Sequence, residues 1–245
     1  MSDHLSAPRV QRIRHEIHRR ELQVLRVHDL SPHIRSITLT GDALDGFASS
    51  GFDDHVKLIL DTGASEPVRR DYTPRRYDAA ARELVLEFAL HGDGPAAAWA
   101  AQAQPGQRVV VAGPRGSFVI SPDHDWHLLA GDDTALPAIA RRLEELPAGA
   151  HAIVLLQVDP LDRRALVSRA NVELQWVDDA EGLIAAARRL TLPPGEGYAW
   201  CAGEAGTMAQ LRRVLVDEKG LDRHAVRASA YWKRGAIAHH EDLEA

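Results

Sequence analysis

Along the first half of the chain, apolar residues alternate with polar ones in short bursts. The segment "HIRSITLTG" places Ile37 and Leu39 on one side, and "HVKLILD" does the same with Val56, Leu58 and Leu60. In "ELVLEFALHG", Leu84, Leu86, Phe88 and Leu90 share one face, while Val85, Glu87, Ala89 and His91 share the other. A period of two is that of a strand, whose side chains point alternately to opposite faces. "QRVVVAGPRGSF" adds a strand that runs into a Gly-Pro turn. Several short strands with turn signals and almost no long helix predict a small antiparallel β barrel.

After about Pro122 the rhythm changes. "WHLLAGDD", "HAIVLLQVD", "VELQWVDD", "GYAWCAGEAG" and "VRASAYW" read as strands. Between them "TALPAIARRLEEL", "EGLIAAARRL" and "TMAQLRRVLVDEKG" carry apolar residues at helical spacing, the last closed by Gly220. Strands alternating with helices imply an α/β unit with an open parallel sheet. The expected organisation is a barrel domain over residues 1–121 and a parallel-sheet domain over residues 122–245, with "SPDHD" as the hinge. "TLPPGEG" (Thr191 to Gly197) reads as a loop inside the second domain.

Composition narrows the function classes. The 245 residues carry a formal net charge of −6, which argues against general nucleic-acid binding. No apolar run approaches the roughly 20 residues of a membrane span, and "MSDHLSAPRV" lacks the apolar core of a signal peptide. The one cysteine, Cys201, rules out an internal disulfide framework. A cytoplasmic location in a reducing compartment is the expectation. The arm "RVQRIRHEIHRRELQVLRV" reads as a solvated lead into the first strand. No metal is expected. His15 with His18, His124 with His127, and His239 with His240 lack further ligands at metal-site spacing.

Against this acidic background stands "RRDYTPRR", Arg69 to Arg76, in which four arginines surround a tyrosine and a threonine. It is either a solvated loop or a site for a planar, anionic ligand. A barrel followed by a nucleotide-type sheet is the layout of ferredoxin-reductase-like flavoproteins, which favours the second reading. A flavin would stack on Tyr72 and hydrogen-bond the Thr73 hydroxyl, and its pyrophosphate suits the planar forks of Arg70 and Arg75. Pro95 marks the start of a short helix whose free N–H groups suit a diphosphate. His91 just before it is either a ligand contact or a hydrogen-bonded structural histidine. Trp99 is core or a lid over the barrel. Asp132, Thr134 and Ala135 fall at a strand end and helix start, where open α/β sheets bind ligands, although Thr134 also fits a helix N-cap. Cys201 stands in the corresponding place at the end of the fourth strand, as a nicotinamide neighbour or as core. No GxGxxG fingerprint is present.

Together these segments resemble the siderophore-interacting protein family, the FAD-dependent ferric-siderophore reductases of bacteria. "RRDYTPRRYD" is similar to the family's R-x-Y-T-x-R motif through Arg70, Tyr72, Thr73 and Arg75. "LHGDGPAAAWA" is similar to its H-G-x-G-P-A-x-x-W-A motif through His91, Gly92, Gly94, Pro95, Ala96 and Trp99. "PGQRVVVAGPRGSF", with Ser117, then "AGDDTALPAI", "WCAGEAGTM" and "YWKRG" follow in family order. The resemblance implies FAD held by these residues, with Tyr72 and Thr73 at the reacting ring. It implies NADPH or NADH near Asp132, Thr134, Ala135, Gly203 and Glu204, and an anionic ferric siderophore met by a basic cluster. Lys57, Arg115 and Lys233 are the candidates for that cluster. The donor stays open: Arg163 and Arg164 suit a 2′-phosphate, Asp159 suits NADH, and a ferredoxin is a third source of electrons. Two rival readings remain, a flavin reductase with another acceptor and a non-catalytic flavin- or siderophore-binding module.

Overall fold

The edges of the first large sheet meet at three residues, and those residues belong to the arginine-rich motif. The computed structural model of the protein describes residues 9–63, 65–90, 94–235 and 241–242. The first half contributes β1 (Val10–Arg14), β2 (Arg19–Ser31), β3 (Ile34–Thr40), β4 (Val56–Leu60), β5 (Val68–Tyr72), β6 (Arg76–Asp78) and β7 (Glu83–Ala89). Helix α1 (Pro95–Gln102), β8 (Arg108–Ala112) and β9 (Gly116–Ile120) complete it. Seven of these strands form one antiparallel sheet in the order β5-β4-β8-β2-β3-β7-β6. Its two outermost strands, β5 and β6, are consecutive in the chain and joined by Thr73, Pro74 and Arg75. Four residue steps reach at most roughly 14 Å, so the sheet must curl until its edges approach. The alternating apolar positions then fill the inside: Leu22, Val24, Ile37, Leu39, Leu58, Leu86, Phe88 and Val111 are all buried in one cluster.

The second half holds β10 (Trp126–Asp132), α2 (Leu136–Glu145), β11 (His151–Gln157), β12 (Asn171–Val177), α3 (Ala180–Arg189), β13 (Gly197–Glu204), α4 (Ala205–Arg213), β14 (Val226–Trp232) and β15 (Glu241–Asp242). Five strands run parallel in the order β12-β11-β10-β13-β14, and β15 adds an antiparallel edge. Every residue of β10 is buried, as expected for a strand covered on both faces. Helices α3 and α4 cover one face. On the other, α2 shares a core with Ile34, Phe52 and Ile120 from the first half, so the two sheets are packed together. Helix α4 runs on through a wider turn, Val214–Glu218, and the chain leaves it at Gly220 with φ of 72°.

The layout expected from the sequence, antiparallel barrel then parallel sheet, is the one observed. The N-terminal arm differs. It is a strand, β1, paired with β9 from Val10–Ile120 to Arg14–Gly116. Pairing of this kind uses only backbone groups, so the arm's charged side chains did not reveal it. Gly116 allows the close approach, since a Cβ there would lie 2.6 Å from the Ile13 carbonyl oxygen. The segment between β9 and β10 is held at its start: Arg142 donates to the Ser121 carbonyl at 2.9 Å and His127 Nε2 to the Pro122 carbonyl at 3.2 Å. Among the described residues, no helix is long and apolar enough to cross a membrane.

Candidate functional site

Tyr72 closes β5 at the barrel seam and Thr73 follows it, buried at the join. On the sheet, Tyr72 stands opposite Val56 and Arg70 opposite Leu58, so Arg70 and Tyr72 emerge on the same face. The Tyr72 ring packs on Phe88 with centroids 4.3 Å apart, and Phe88 in turn meets Trp99 of α1 at 5.6 Å. This aromatic row fixes the tyrosine plane and seats α1 over the barrel end. Burial pushes the Tyr72 phenol above its ordinary range, so it stays protonated.

The two motif arginines differ in what they hold. Arg70 donates only to the neighbouring Arg69 carbonyl at 2.8 Å and has no ion pair among the described residues. Arg75 is bound on two sides. Its guanidinium grips Glu144 of α2 through two bonds, at 2.5 and 2.9 Å, and approaches Glu87 of β7 at 3.3 Å. That hydrogen bond is the main factor holding the Glu144 carboxyl below its usual range. Arg164 grips the other oxygen of Glu87. Sequence reasoning missed a further member, Arg141 of α2, which donates to the Pro74 carbonyl, the Ser49 hydroxyl and the Ser49 carbonyl, each at 2.9 Å. A helix arginine carries no visible sign of such a task, because its targets, two of them backbone oxygens, are distant in the chain.

Helix α1 begins at Pro95, as expected, with Gly94 as N-cap and no side-chain cap. Gly94 is exposed, and a Cβ there would meet nothing within 4 Å. An uncapped helix start and, on β5, a cation without a carboxylate partner are each of the kind that the diphosphate of a dinucleotide flavin needs. Ala96 is buried against the barrel. His91 and Gly92 lie outside the described residues. Ser117 is already engaged within the protein: its buried hydroxyl donates to Asp54 at 2.6 Å, contacts His15 Nε2 at 2.8 Å and accepts from the Ser50 N–H at 3.1 Å.

At the carboxyl edge of the parallel sheet, Asp132 ends β10 and Glu204 ends β13. Asp132 is fully buried and its carboxylate faces inward. Oδ1 accepts from the Thr134 N–H and hydroxyl, and Oδ2 from the Glu204 N–H at 3.0 Å and Trp232 Nε1 at 2.8 Å. Burial, reinforced by Asp133, pushes its carboxyl up to about 6. Thr134 is therefore not the N-cap of α2: Ala135 occupies that position without a side-chain bond, because the Thr134 hydroxyl turns back to Asp132. Gly203 packs on this carboxylate, where a Cβ would come within 2.6 Å of Oδ2. Glu204 caps α4 through the Thr207 N–H at 2.9 Å. Ala135 and Cys201 are both fully buried, and burial pushes the Cys201 thiol up to about 12. Cys201 belongs to the core under α3 and α4. Of the donor candidates, Asp159 accepts from the Leu161 N–H, Arg163 pairs with Asp178, and Arg164 is held by Glu87.

Lys57 stands on β4 opposite Asp71, whose carboxylate it grips at 2.7 and 3.0 Å. Lys57 also pairs in register with Ala112, three residues before Arg115, so both cations lie toward the same end of the barrel. Lys233 follows Trp232 at the end of β14. Arg115 and Lys233 have exposed side chains and no ion pair among the described residues.

Comparison with known proteins finds relatives for both halves of the chain. The family model described as "Siderophore-interacting FAD-binding domain" matches residues 23–65 and 61–118, and "Siderophore-interacting protein" matches residues 124–235. The NADPH-dependent ferric-chelate reductase of Escherichia coli is 36% identical over 91% of this chain and 96% of its own length. The ferric vibriobactin reductase of Vibrio cholerae is 32% identical over 92% of this chain and 94% of its own. A solved siderophore utilization protein from T. fusca superposes with a TM-score of 0.86 at 33% identity, covering 94% of this chain and 98% of that one. With both halves matched in order and such relatives aligned nearly end to end, the chain belongs to the siderophore-interacting protein family.

Proposed function

We propose that this protein is an FAD-dependent ferric-siderophore reductase that draws electrons from a nicotinamide donor and delivers them to the iron of an anionic chelate. The observation that carries the reading is the seam: Arg70 and Tyr72 on one face, Thr73 at the join, and the uncapped helix α1 joined to Tyr72 through Phe88 and Trp99. Arg70 and the first N–H groups of α1 would hold the diphosphate, and Tyr72 and Thr73 would hold the ring. FAD accepts two electrons at once from a hydride donor and releases them singly, which is what a one-electron acceptor such as ferric iron requires. Ferric iron is a hard cation bound tightly by siderophore oxygens, and ferrous iron is held far more weakly, so one electron loosens the complex.

The protein's own residues supply place and charge. Residues 1–121 form the flavin unit and residues 122–245 the donor unit, and Arg75 and Arg141 join them where the flavin loop meets α2. Likeness to the Escherichia coli reductase, whose name specifies NADPH, favours that donor over a ferredoxin. Arg163 is better placed than Arg164 for a 2′-phosphate, because its present partner Asp178 is largely exposed while Glu87 is buried. Arg115 and Lys233, with Lys57 partly offset by Asp71, form the docking surface for the chelate.

Purified protein loaded with FAD should bleach with NADPH under anaerobic conditions and regain its yellow colour on adding a ferric catecholate. Bleaching without recolouring points to another acceptor. A protein that binds flavin and siderophore yet never bleaches is a binding module, and the reductase reading fails.

A further inference from the structure

At the carboxyl edge of the parallel sheet stands an exposed aromatic ring to which none of the motifs gives a task. Trp232 ends β14 in register with Glu204 of β13, and β13 in turn neighbours β10 with its terminal Asp132. Its side chain is 38% exposed, whereas the other large exposed apolar residues among the described ones, Ile17, Leu25, Leu161 and Val167, are aliphatic. The indole is not loose. Its Nε1 donates at 2.8 Å to Asp132 Oδ2, which also accepts from the Glu204 N–H at 3.0 Å. One edge of the ring is thus tied to a fully buried carboxylate that itself is fixed by Thr134. Burying a carboxylate is costly unless its oxygens are satisfied, and here donors from three segments satisfy it. A fold that needed only a capped strand end would not require an ionisable group at that point.

The crevice outside the carboxyl ends of parallel strands is where open α/β sheets take their ligands. The chemistry beside Trp232 suits one end of a dinucleotide better than the other. The N-terminus of α4, which would otherwise attract phosphate, is already occupied by the Glu204 carboxylate at the Thr207 N–H. While the exposed Lys233 and Arg234 follow Trp232 along the chain, Asp132 and Glu204 place two carboxylates beside the indole, which favours a ring that is or becomes cationic. A reduced nicotinamide becomes one during the reaction: its C4–H bond breaks, the hydrogen leaves with the electron pair to the flavin, and the ring keeps one positive charge. An indole face and nearby carboxylates stabilise such a charge.

From this geometry we infer that Trp232 is the platform on which the donor's nicotinamide ring rests, and that Asp132 is the positioning residue that fixes its plane. The inference rests on the donor reading given above and adds the residues that recognise the reactive ring.

The test is calorimetric titration of flavin-loaded protein with two probes, NADP+ and 2′-phospho-ADP-ribose, which lacks the nicotinamide. Trp232→Leu should weaken NADP+ binding about tenfold and leave 2′-phospho-ADP-ribose unchanged. Trp232→Phe, which keeps a ring, should lose about half that effect in logarithmic terms. Asp132→Asn should fall between the two, again only for the probe carrying the ring; a merely structural role would lower affinity for both probes together. Equal NADP+ affinity in wild type and Trp232→Leu overturns the platform. Equal loss for both probes overturns it too, since the defect then lies outside the ring. If wild type binds neither probe, the donor reading itself fails and this inference with it.

Discussion

Trp200, in the middle of β13, donates its indole N–H to Oδ2 of Asp53, a residue of the loop that precedes β4, across 3.0 Å. Arg227 of β14 donates to the same oxygen at 3.0 Å. Both partners of this contact are buried, and they come from opposite halves of the chain. A hydrogen bond to a buried charged acceptor contributes roughly 1.5–3 kcal/mol, and geometry of this kind cannot be met unless the two sheets keep one orientation.

Trp200→Phe preserves the ring that packs edge-on to Phe52 at 5.2 Å but removes the donor. It should lower the unfolding free energy by about 2 kcal/mol in urea titration, without lowering FAD content per folded molecule. A variant as stable as wild type would show that Arg227 alone satisfies Asp53.

The two motif arginines should separate in the same assay. Arg75, clamped by Glu144 and Glu87, is a structural link, so Arg75→Ala should destabilise even the flavin-free protein by about 2 kcal/mol. Arg70 lacks such a link. Arg70→Ala should leave flavin-free stability within about 0.5 kcal/mol of wild type and lower FAD occupancy more than Lys57→Ala does. Equal flavin content in Arg70→Ala and Lys57→Ala would count against a phosphate role for Arg70.

The difference between these arginines marks the limit of what the sequence discloses. Alternation at Leu84, Leu86 and Phe88 reveals a strand because the pattern is local, and Pro95 announces a helix start for the same reason. The partner of Arg75 is 69 residues away on another element, and no local pattern encodes it. Asp132 and Glu204 were legible as residues at strand ends, since the apolar runs stop there. The orientation of Asp132 was not, because it depends on Trp232, 100 residues further on. Thr134 looked like a cap on composition alone; the nearer acceptor, Asp132, won its hydroxyl.

Acid should act through His127. Burial is the main cause that lowers its imidazole from 6.5 to about 4, and Arg142 adds to it. In the unfolded chain the same group binds its proton at about pH 6.5, so between these values the unfolded state holds more protons. Stability is therefore greatest above pH 6.5 and falls as the pH drops toward 4, by about 3 kcal/mol from this residue. His127→Gln, which keeps an N–H for the Pro122 carbonyl, should flatten the slope of unfolding free energy against pH in that window by about one proton. An unchanged slope would assign the acid sensitivity to other groups.

The docking surface gives the last prediction. Ferric tris-catecholates carry several negative charges, so cations near the flavin raise their local concentration before any contact forms. Arg115 and Lys233 have no carboxylate partner among the described residues, while Asp71 offsets the charge of Lys57. Arg115→Glu and Lys233→Glu should thus each raise the KM for an anionic ferric siderophore severalfold, and Lys57→Ala should do less. The effect should be larger at about 10 mM salt, where charges act over roughly 30 Å, than at physiological salt, where they act over about 8 Å. Reduction of the flavin by NADPH, measured separately by stopped flow, should hardly change in Arg115→Glu, because Arg115 lies on the barrel half and the donor approaches the other sheet. If Arg115→Glu/Lys233→Glu reduces the anionic chelate at low salt as well as wild type does, these cations do not steer it, and the chelate must approach the flavin from another side.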